Sequence, residues 1–270
     1  MMNRYPNPDI EMLQFPELSK DCDIFHFVTT RHGGVSKGNY ATFNLGEYAG
    51  DNPEDVRTNR QILSDAIGID PERLLVPHQI HGTTLRIIED SFFRLPAQAQ
   101  KQYIDGTDAL VTTLPNVCVA VTTADCVPIL LYAPDVKAVA AVHAGWRGTV
   151  QEIARQTVHI LTEQLHANPA LLRAGIGPSI GPQAFEVGEE VVEAFRPTTD
   201  LRLIMQRNPL TGKAHINLWE ANRLQLLKAG LSANHIEIAA ICTHTHAADF
   251  YSARKLGIAS GRFLSGIFLK

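Results

Sequence analysis

The sequence predicts an α+β fold, a single-domain mixed sandwich over residues 1–270 with a central, mostly buried sheet flanked by helices. Three observations carry this expectation. Three apolar, partly β-branched runs stand close together mid-chain, at 117–123 (VCVAVTT), 128–133 (PILLYA) and 137–144 (KAVAAVHA). Hydrophobicity so nearly continuous marks strands covered on both faces. Helical-period stretches lie among the strands without a regular β-α-β rhythm, which argues against a dinucleotide-binding architecture. Finally, 270 residues with 45% hydrophobic and 19% charged side chains supply ample material for one large core.

The elements follow in order. Residues 24–30 (IFHFVTT) read as a strand, and the Gly-rich polar stretch RHGGVSKGNY as a loop. A helix begins at Asp51, Asn52 and Pro53, where a capping side chain precedes a proline, and turns Val56, Ile62, Leu63 and Ile67 inward. Residues 84–89 (TLRIIE) form a strand, and the three central runs come next. Over 149–165, Val150, Ile153, Ala154, Val158, Leu161 and Leu165 share one helical face. Thr149 and Glu152 match a capping box, so this helix is expected to start just after Gly148. A strand over 171–176 leads into the rigid turn GPSIGP. Residues 189–195 and 216–230 read as helices, the second ended by Gly230. Strands near 236–242 and 262–269 close the chain.

Composition excludes several classes of function. A net charge of −4, with no run of like charge, offers no basic stripe for nucleic acid. No apolar stretch reaches the ~18–20 residues of a membrane span. The leading MMNRYPNPDIEM has no signal-peptide core, so a cytoplasmic protein without a membrane partner is expected. Cys22, Cys118, Cys126 and Cys242 are scattered, as free thiols in a reducing compartment would be. Neither GxGxxG nor GxxxxGK[ST] occurs, and there is no internal repeat or low-complexity segment. The sequence carries no signal for a particular oligomeric state.

Chemistry gathers at a few turns. In AVHAGWRGTV, His143 ends a buried strand, and Arg147 stands at the start of the expected helix. Free backbone N–H groups and a guanidinium there would favour an anion. In TTADCVPILL, Cys126 follows another strand and suits a nucleophile, a soft metal ligand or an inert buried thiol. VPHQIHG adds His78 and His81. Together His81, Cys126 and His143 offer one sulfur and two imidazoles, a set suited to zinc with a fourth position open. A rival set is ICTHTH, where Cys242, His244 and His246 would share one face of a strand. Asp125, beside Cys126, is a candidate proton shuttle.

The stretches TTRHGGVSKGNY, FNLGEYAGDNPEDVRTNR, QIHG, DALVT, TADCVPILL, AVHAGWRGTV, GPSIGPQAFEVG, CT with FYSARK, and the terminal GR-plus-strand resemble the polyphenol oxidase/laccase-domain family. Its members are described as purine nucleoside phosphorylases with adenosine deaminase activity. The match runs from 29 to 269 in the family order, and QIHG, ADC and HAGWRG together are highly specific. The resemblance implies a metal, zinc or else copper, held by His81, Cys126 and His143. It implies site arginines at Arg31, Arg60 and Arg147. The family's FFSYRR stands here as FYSARK, which keeps Arg254 but puts Ala253 where an aromatic is usual. The implied activities are phosphorolysis of adenosine, inosine, guanosine and methylthioadenosine, with phosphate as co-substrate, and deamination of adenosine. Alternatives are a copper-dependent polyphenol oxidase and a metal-free hydrolase with Cys126 as nucleophile and His143 as base. A non-enzymatic interaction partner would lack a pocket lined by these residues.

Overall fold

The computed structural model describes residues 2–270. Its strands, in chain order, are β1 (Asn3–Tyr5), β2 (Met12–Gln14), β3 (Ile24–Thr29), β4 (Leu74–Leu75), β5 (Leu85–Ile88), β6 (Ala109–Thr112), β7 (Cys118–Thr123) and β8 (Val127–Ala133). They continue with β9 (Ala138–Ala144), β10 (Arg173–Ile176), β11 (Glu186–Val187), β12 (Met205–Arg207), β13 (Ala214–Ile216), β14 (Ile236–Ile238) and β15 (Phe263–Leu269). One six-stranded sheet has the order β1-β2-β3-β15-β7-β4, and a second the order β14-β10-β8-β9-β6-β5. A small sheet, β11-β13-β12, stands apart. The mixed α+β sandwich is therefore present.

The side-chain period of two explains the layering. Val119, Val121 and Ile267 of the first sheet pack against Leu130, Val139 and Ala141 of the second. On β8 the alternate residues Ile129 and Leu131 face the other way. They meet Ile153, Val158 and Leu161 of the helix Ile153–Glu163, and Leu218 and Leu226 of the helix Leu218–Lys228. The outer face of the first sheet, with Phe27, Ala120 and Leu264, is covered by Leu63 of the helix Pro53–Ile67 and by Phe43 and Leu45. Double-sided burial of the three central runs thus arises in a helix–sheet–sheet–helix stack. They are divided between the two sheets, since β7 belongs to the first while β8 and β9 pair in the second.

The helix expected over 149–165 is two helices. Trp146–Val150 comes first, and Ile153–Glu163 follows after Glu152 adopts a left-handed φ of 60°. The expected capping box does not form. Thr149 lies inside the first helix, its hydroxyl accepts a bond from Asn222, and Glu152 pairs with Arg155. Residues 239–242 are not part of β14, and Cys242 makes a single bridge to Ser179. Elsewhere the caps are as read: Asn52 accepts from Glu54 N–H ahead of Pro53, and Gly230 follows the helix Leu218–Lys228 with φ 101°. Among the described residues, no helix is long and apolar enough to cross a membrane.

Sheet register delivers the chemistry to one edge. β8 and β9 are antiparallel with Val127 opposite Ala144, so Cys126, just before β8, lies beside the end of β9 that carries His143. β6 pairs with β9 through Ala109 and Val142, which sets Asp108 next to His143. β5 runs parallel to β6, bringing the QIHG turn ahead of it to the same edge.

Candidate metal centre and active site

One donor atom each from His81, Cys126 and His143 lies within 4.8 Å of the others. They are the one such group of three or more His, Cys, Asp or Glu donors among the described residues. The two imidazoles meet edge to face, with ring centroids 4.9 Å apart. A thiolate with two imidazoles suits a borderline-soft divalent ion. The backbone makes room for the cluster. A Cβ built on Gly145 would come within 3.1 Å of His81 Cδ2 and 3.2 Å of Cys126 Sγ. Gly145 has an ordinary φ of −63°, so its absent side chain reflects space, not backbone conformation. Gly145→Ala is expected to crowd the donors by about 1–3 kcal/mol. Elemental analysis should find less bound metal, while circular dichroism stays that of the wild type.

Asp108 organises the cluster from beneath. Its side chain is fully buried and accepts four bonds. Oδ1 accepts from His81 N–H at 3.0 Å and lies 2.8 Å from His143 Nδ1, while Oδ2 accepts from Gly82 N–H at 2.8 Å and Ile80 N–H at 3.4 Å. A carboxylate only accepts, so the His143 proton sits on Nδ1 and leaves Nε2 as the ligating atom. Burial pushes the Asp108 carboxyl up, but the His143 bond and the backbone N–H groups outweigh it and hold it below the usual range. Burial likewise pushes the Cys126 thiol up, and the adjacent His143 and His81 more than reverse that. Burial lowers His143, whereas Cys126 and Asp108 raise it above the ordinary histidine value. The cluster therefore favours the thiolate, which is the ligating and nucleophilic form.

Two residues of the site are held in left-handed backbone, His81 at φ 64° and Asp125 at φ 90°. Each such residue costs on the order of 1–3 kcal/mol unless its surroundings fix it. His81 is fixed by its bond to Asp108. Asp125 is fixed by three bonds: its carbonyl accepts from Ile180 N–H, Oδ1 from the Thr243 hydroxyl at 2.6 Å and Oδ2 from Arg254 N–H at 2.7 Å. Both carboxylate oxygens of the expected proton shuttle are thus already engaged.

The cluster opens onto a cavity of about 650 Å³. Tyr48 stacks on His78 at one part of its wall, with ring centroids 4.0 Å apart. Phe185, Ala253 and Ile258 line it as well. Of the four arginines expected from sequence, Arg60 and Arg254 line the cavity and Arg31 and Arg147 do not. Arg60 donates to Leu45 O and lies 3.5 Å from Glu47. Arg254 donates to Glu186 O and lies over Phe185. Arg31 is spent on Ala41 O and Ala247 O beneath Tyr251. Arg147 is exposed, its guanidinium 4.5 Å from the Trp146 ring centroid. The helix expected to aim its N-terminus at an anion beside it is only five residues long.

His78 pairs with Asp105 at 2.9 Å and takes no part in the donor cluster. The rival set does not assemble. Residues 243–249 form turns, Cys242 Sγ accepts from Gly181 N–H, and His246 Nδ1 lies 3.0 Å from Cys242 O. Sequence reasoning missed Asp108, Arg262 and the Tyr48–His78 stack. Asp108 was visible as a lone acid heading an apolar strand in DALVT, and Arg262 as the arginine of the terminal GR.

A family model described as a multi-copper polyphenol oxidoreductase laccase matches residues 25–270. A purine nucleoside phosphorylase of Bacteroides thetaiotaomicron is 46% identical over 262 residues, covering 97% of each chain. A protein named adenosine deaminase RL5, from an unknown prokaryotic organism, is 40% identical over 97% of this chain and 99% of its own. The crystal structure of YlmD from Geobacillus stearothermophilus superposes with a TM-score of 0.90 at 33% identity, over 100% of both chains.

Proposed function

The chain belongs to this laccase-domain family, and from that premise we propose that it is a purine nucleoside enzyme centred on His81, Cys126 and His143. Its reactions are phosphorolysis of adenosine, inosine, guanosine and methylthioadenosine, and deamination of adenosine. The observation that carries this reading is the convergence of the three donors on a cavity walled by arginines and aromatic rings. That volume falls within the range of small-molecule sites. Relatives named for both activities support the choice of substrate.

Zinc is the metal that best fits one thiolate and two imidazoles, and it would supply Lewis acidity with a coordination position to spare. The chain's own residues do the rest. Arg60 and Arg254 draw the phosphate dianion into the cavity. In phosphorolysis a phosphate oxygen bonds to ribose C1′ as the C1′–N9 bond breaks. The electron pair leaves with the base, which takes up the proton that hydrogen phosphate gives up. In deamination water replaces the amino group at C6, and ammonia leaves. Asp125 serves by orientation, since its oxygens fix the Thr243 hydroxyl and the Arg254 backbone. Arg31 and Arg147 serve the fold. The four free thiols fit a cytoplasmic setting.

A multi-copper oxidase needs several groups of histidine ligands, and one three-donor group is present among the described residues. The Cys126–His143 pair would also suit a metal-free hydrolase, and stoichiometric metal in the purified protein separates the two. Incubating adenosine with and without phosphate tests the activity itself. Adenine with ribose 1-phosphate is expected only when phosphate is present, and inosine with ammonia in either case. Phenol oxidation with oxygen uptake and no nucleoside turnover would overturn the reading.

A further inference from the structure

We propose that Arg262 is the principal phosphate-binding residue of the cavity, an assignment that rests on nucleoside phosphorolysis as the activity. Arg262 lines the cavity together with the metal-ligand cluster, and its guanidinium lies within electrostatic reach of Cys126 and Asp125. It forms no ion pair with any carboxylate among the described residues. The two carboxylates on the cavity wall are committed elsewhere: Glu47 to Lys101 and Arg60, Asp125 to Thr243 and Arg254. A part-buried guanidinium that no carboxylate pairs with directly can take an anion from outside the chain.

The geometry is that of a preset clamp. The Arg262 backbone is pinned to the turn at 44–46, its N–H donating to Asn44 Oδ1 at 2.8 Å and its carbonyl accepting from Leu45 N–H at 3.0 Å. Gly46 leaves room for the side chain, because a Cβ there would stand 2.7 Å from Arg262 Cγ. Nη1 donates to Ser260 O and Gly261 O, and Nη2 to Ile258 O. A guanidinium has five N–H donors, so Nε–H and one Nη2–H remain without an acceptor among the described residues. Neutral carbonyls hold the group in place without neutralising it, leaving two donors for phosphate oxygens. Arg60, which binds Leu45 O of the same turn, adds a second charge to the cavity. Arg254 is exposed at the rim.

The test compares wild type with Arg262→Met, Arg262→Lys and, as a control outside the cavity, Arg147→Met. Inosine phosphorolysis is followed against phosphate concentration, and inorganic phosphate is titrated calorimetrically into each metal-loaded protein. Loss of the clamp is expected to raise the KM for phosphate and its Kd about tenfold to a hundredfold. Metal content and the KM for inosine should move far less. Lysine should restore only part, because it keeps the charge but lacks the planar fork. Arg147→Met should leave phosphate dependence unchanged. An unchanged KM for phosphate in Arg262→Met would overturn the assignment. So would parallel losses of metal, inosine affinity and phosphate affinity in both Arg262 variants, which would mark a structural role. If the wild type cleaves no nucleoside, the activity reading fails, yet the calorimetry still decides: weaker phosphate binding by Arg262→Met supports the anion site, and equal binding rejects it.

Discussion

Replacing Cys126 by serine is expected to empty the metal site and to remove nucleoside phosphorolysis. Cys126 is the only sulfur in the cluster, and His143 and His81 bias it toward the thiolate. A serine hydroxyl stays protonated and hard, so it is a poor ligand for a borderline-soft ion. Losing the metal forfeits several kcal/mol of transition-state stabilisation, or about a thousandfold in rate. The fold should survive, because Cys126 precedes β8 rather than lying within it. Cys242→Ser is the matched control. Its sulfur accepts from Gly181 N–H in the turn region where the rival site failed to form, so metal content should persist. Elemental analysis of the two variants side by side decides between the clusters. A full site in Cys126→Ser, with an empty one in Cys242→Ser, would reverse the assignment.

The second large effect is expected at Asp108, which is fully buried and lies outside the lining of the cavity. Asp108→Asn preserves shape but replaces one acceptor oxygen with a donor. The carboxylate accepts two bonds on Oδ1 and two on Oδ2. Whichever way the amide turns, its NH₂ confronts two N–H donors. His143 loses the partner that fixes its tautomer, and the His81 turn loses an anchor of its left-handed backbone. Outer-sphere losses of this kind cost about 10–100-fold in metal affinity. Breaking the buried Asp108–His143 pair adds roughly 3 kcal/mol of destabilisation. For a chain of this size that corresponds to a Tm lower by on the order of 10 °C. Competition with a chelator measures the affinity, and melting of the metal-free protein measures the stability separately. Metal affinity equal to that of the wild type would show that Asp108 braces the fold alone.

Much of this site was legible in the residues, for physical reasons. Cys126 and His143 each sit at the end of a strongly apolar strand, and strand ends at a sheet edge are where polar side chains converge. His81 lies in a short turn just before another strand. What the residues alone left open was convergence. Cys126 and His143 meet because β8 and β9 pair in one register, and a slip of one residue would turn every side chain to the other face. The division of three similar apolar runs between two sheets was hidden for the same reason, since hydrophobicity marks burial but not partners. Arg147 was expected at the start of one long helix because the capping-box pattern at Thr149 and Glu152 put the helix start just after Gly148, whereas it lies in the short helix Trp146–Val150, outside the cavity lining. The chain instead turns at Glu152, and Arg147 stacks outward on Trp146. Arg262 was passed over because its significance lies in an absent carboxylate, which no local pattern records.

The central claim is that His81, Cys126 and His143 together hold the metal of a nucleoside phosphorylase. X-ray absorption at the metal edge, on purified protein that cleaves inosine in the presence of phosphate, tests it most directly. The expected first shell has one sulfur at about 2.3 Å and two imidazole nitrogens at about 2.0–2.1 Å around zinc. A shell without sulfur, or active protein with no stoichiometric metal, would contradict it.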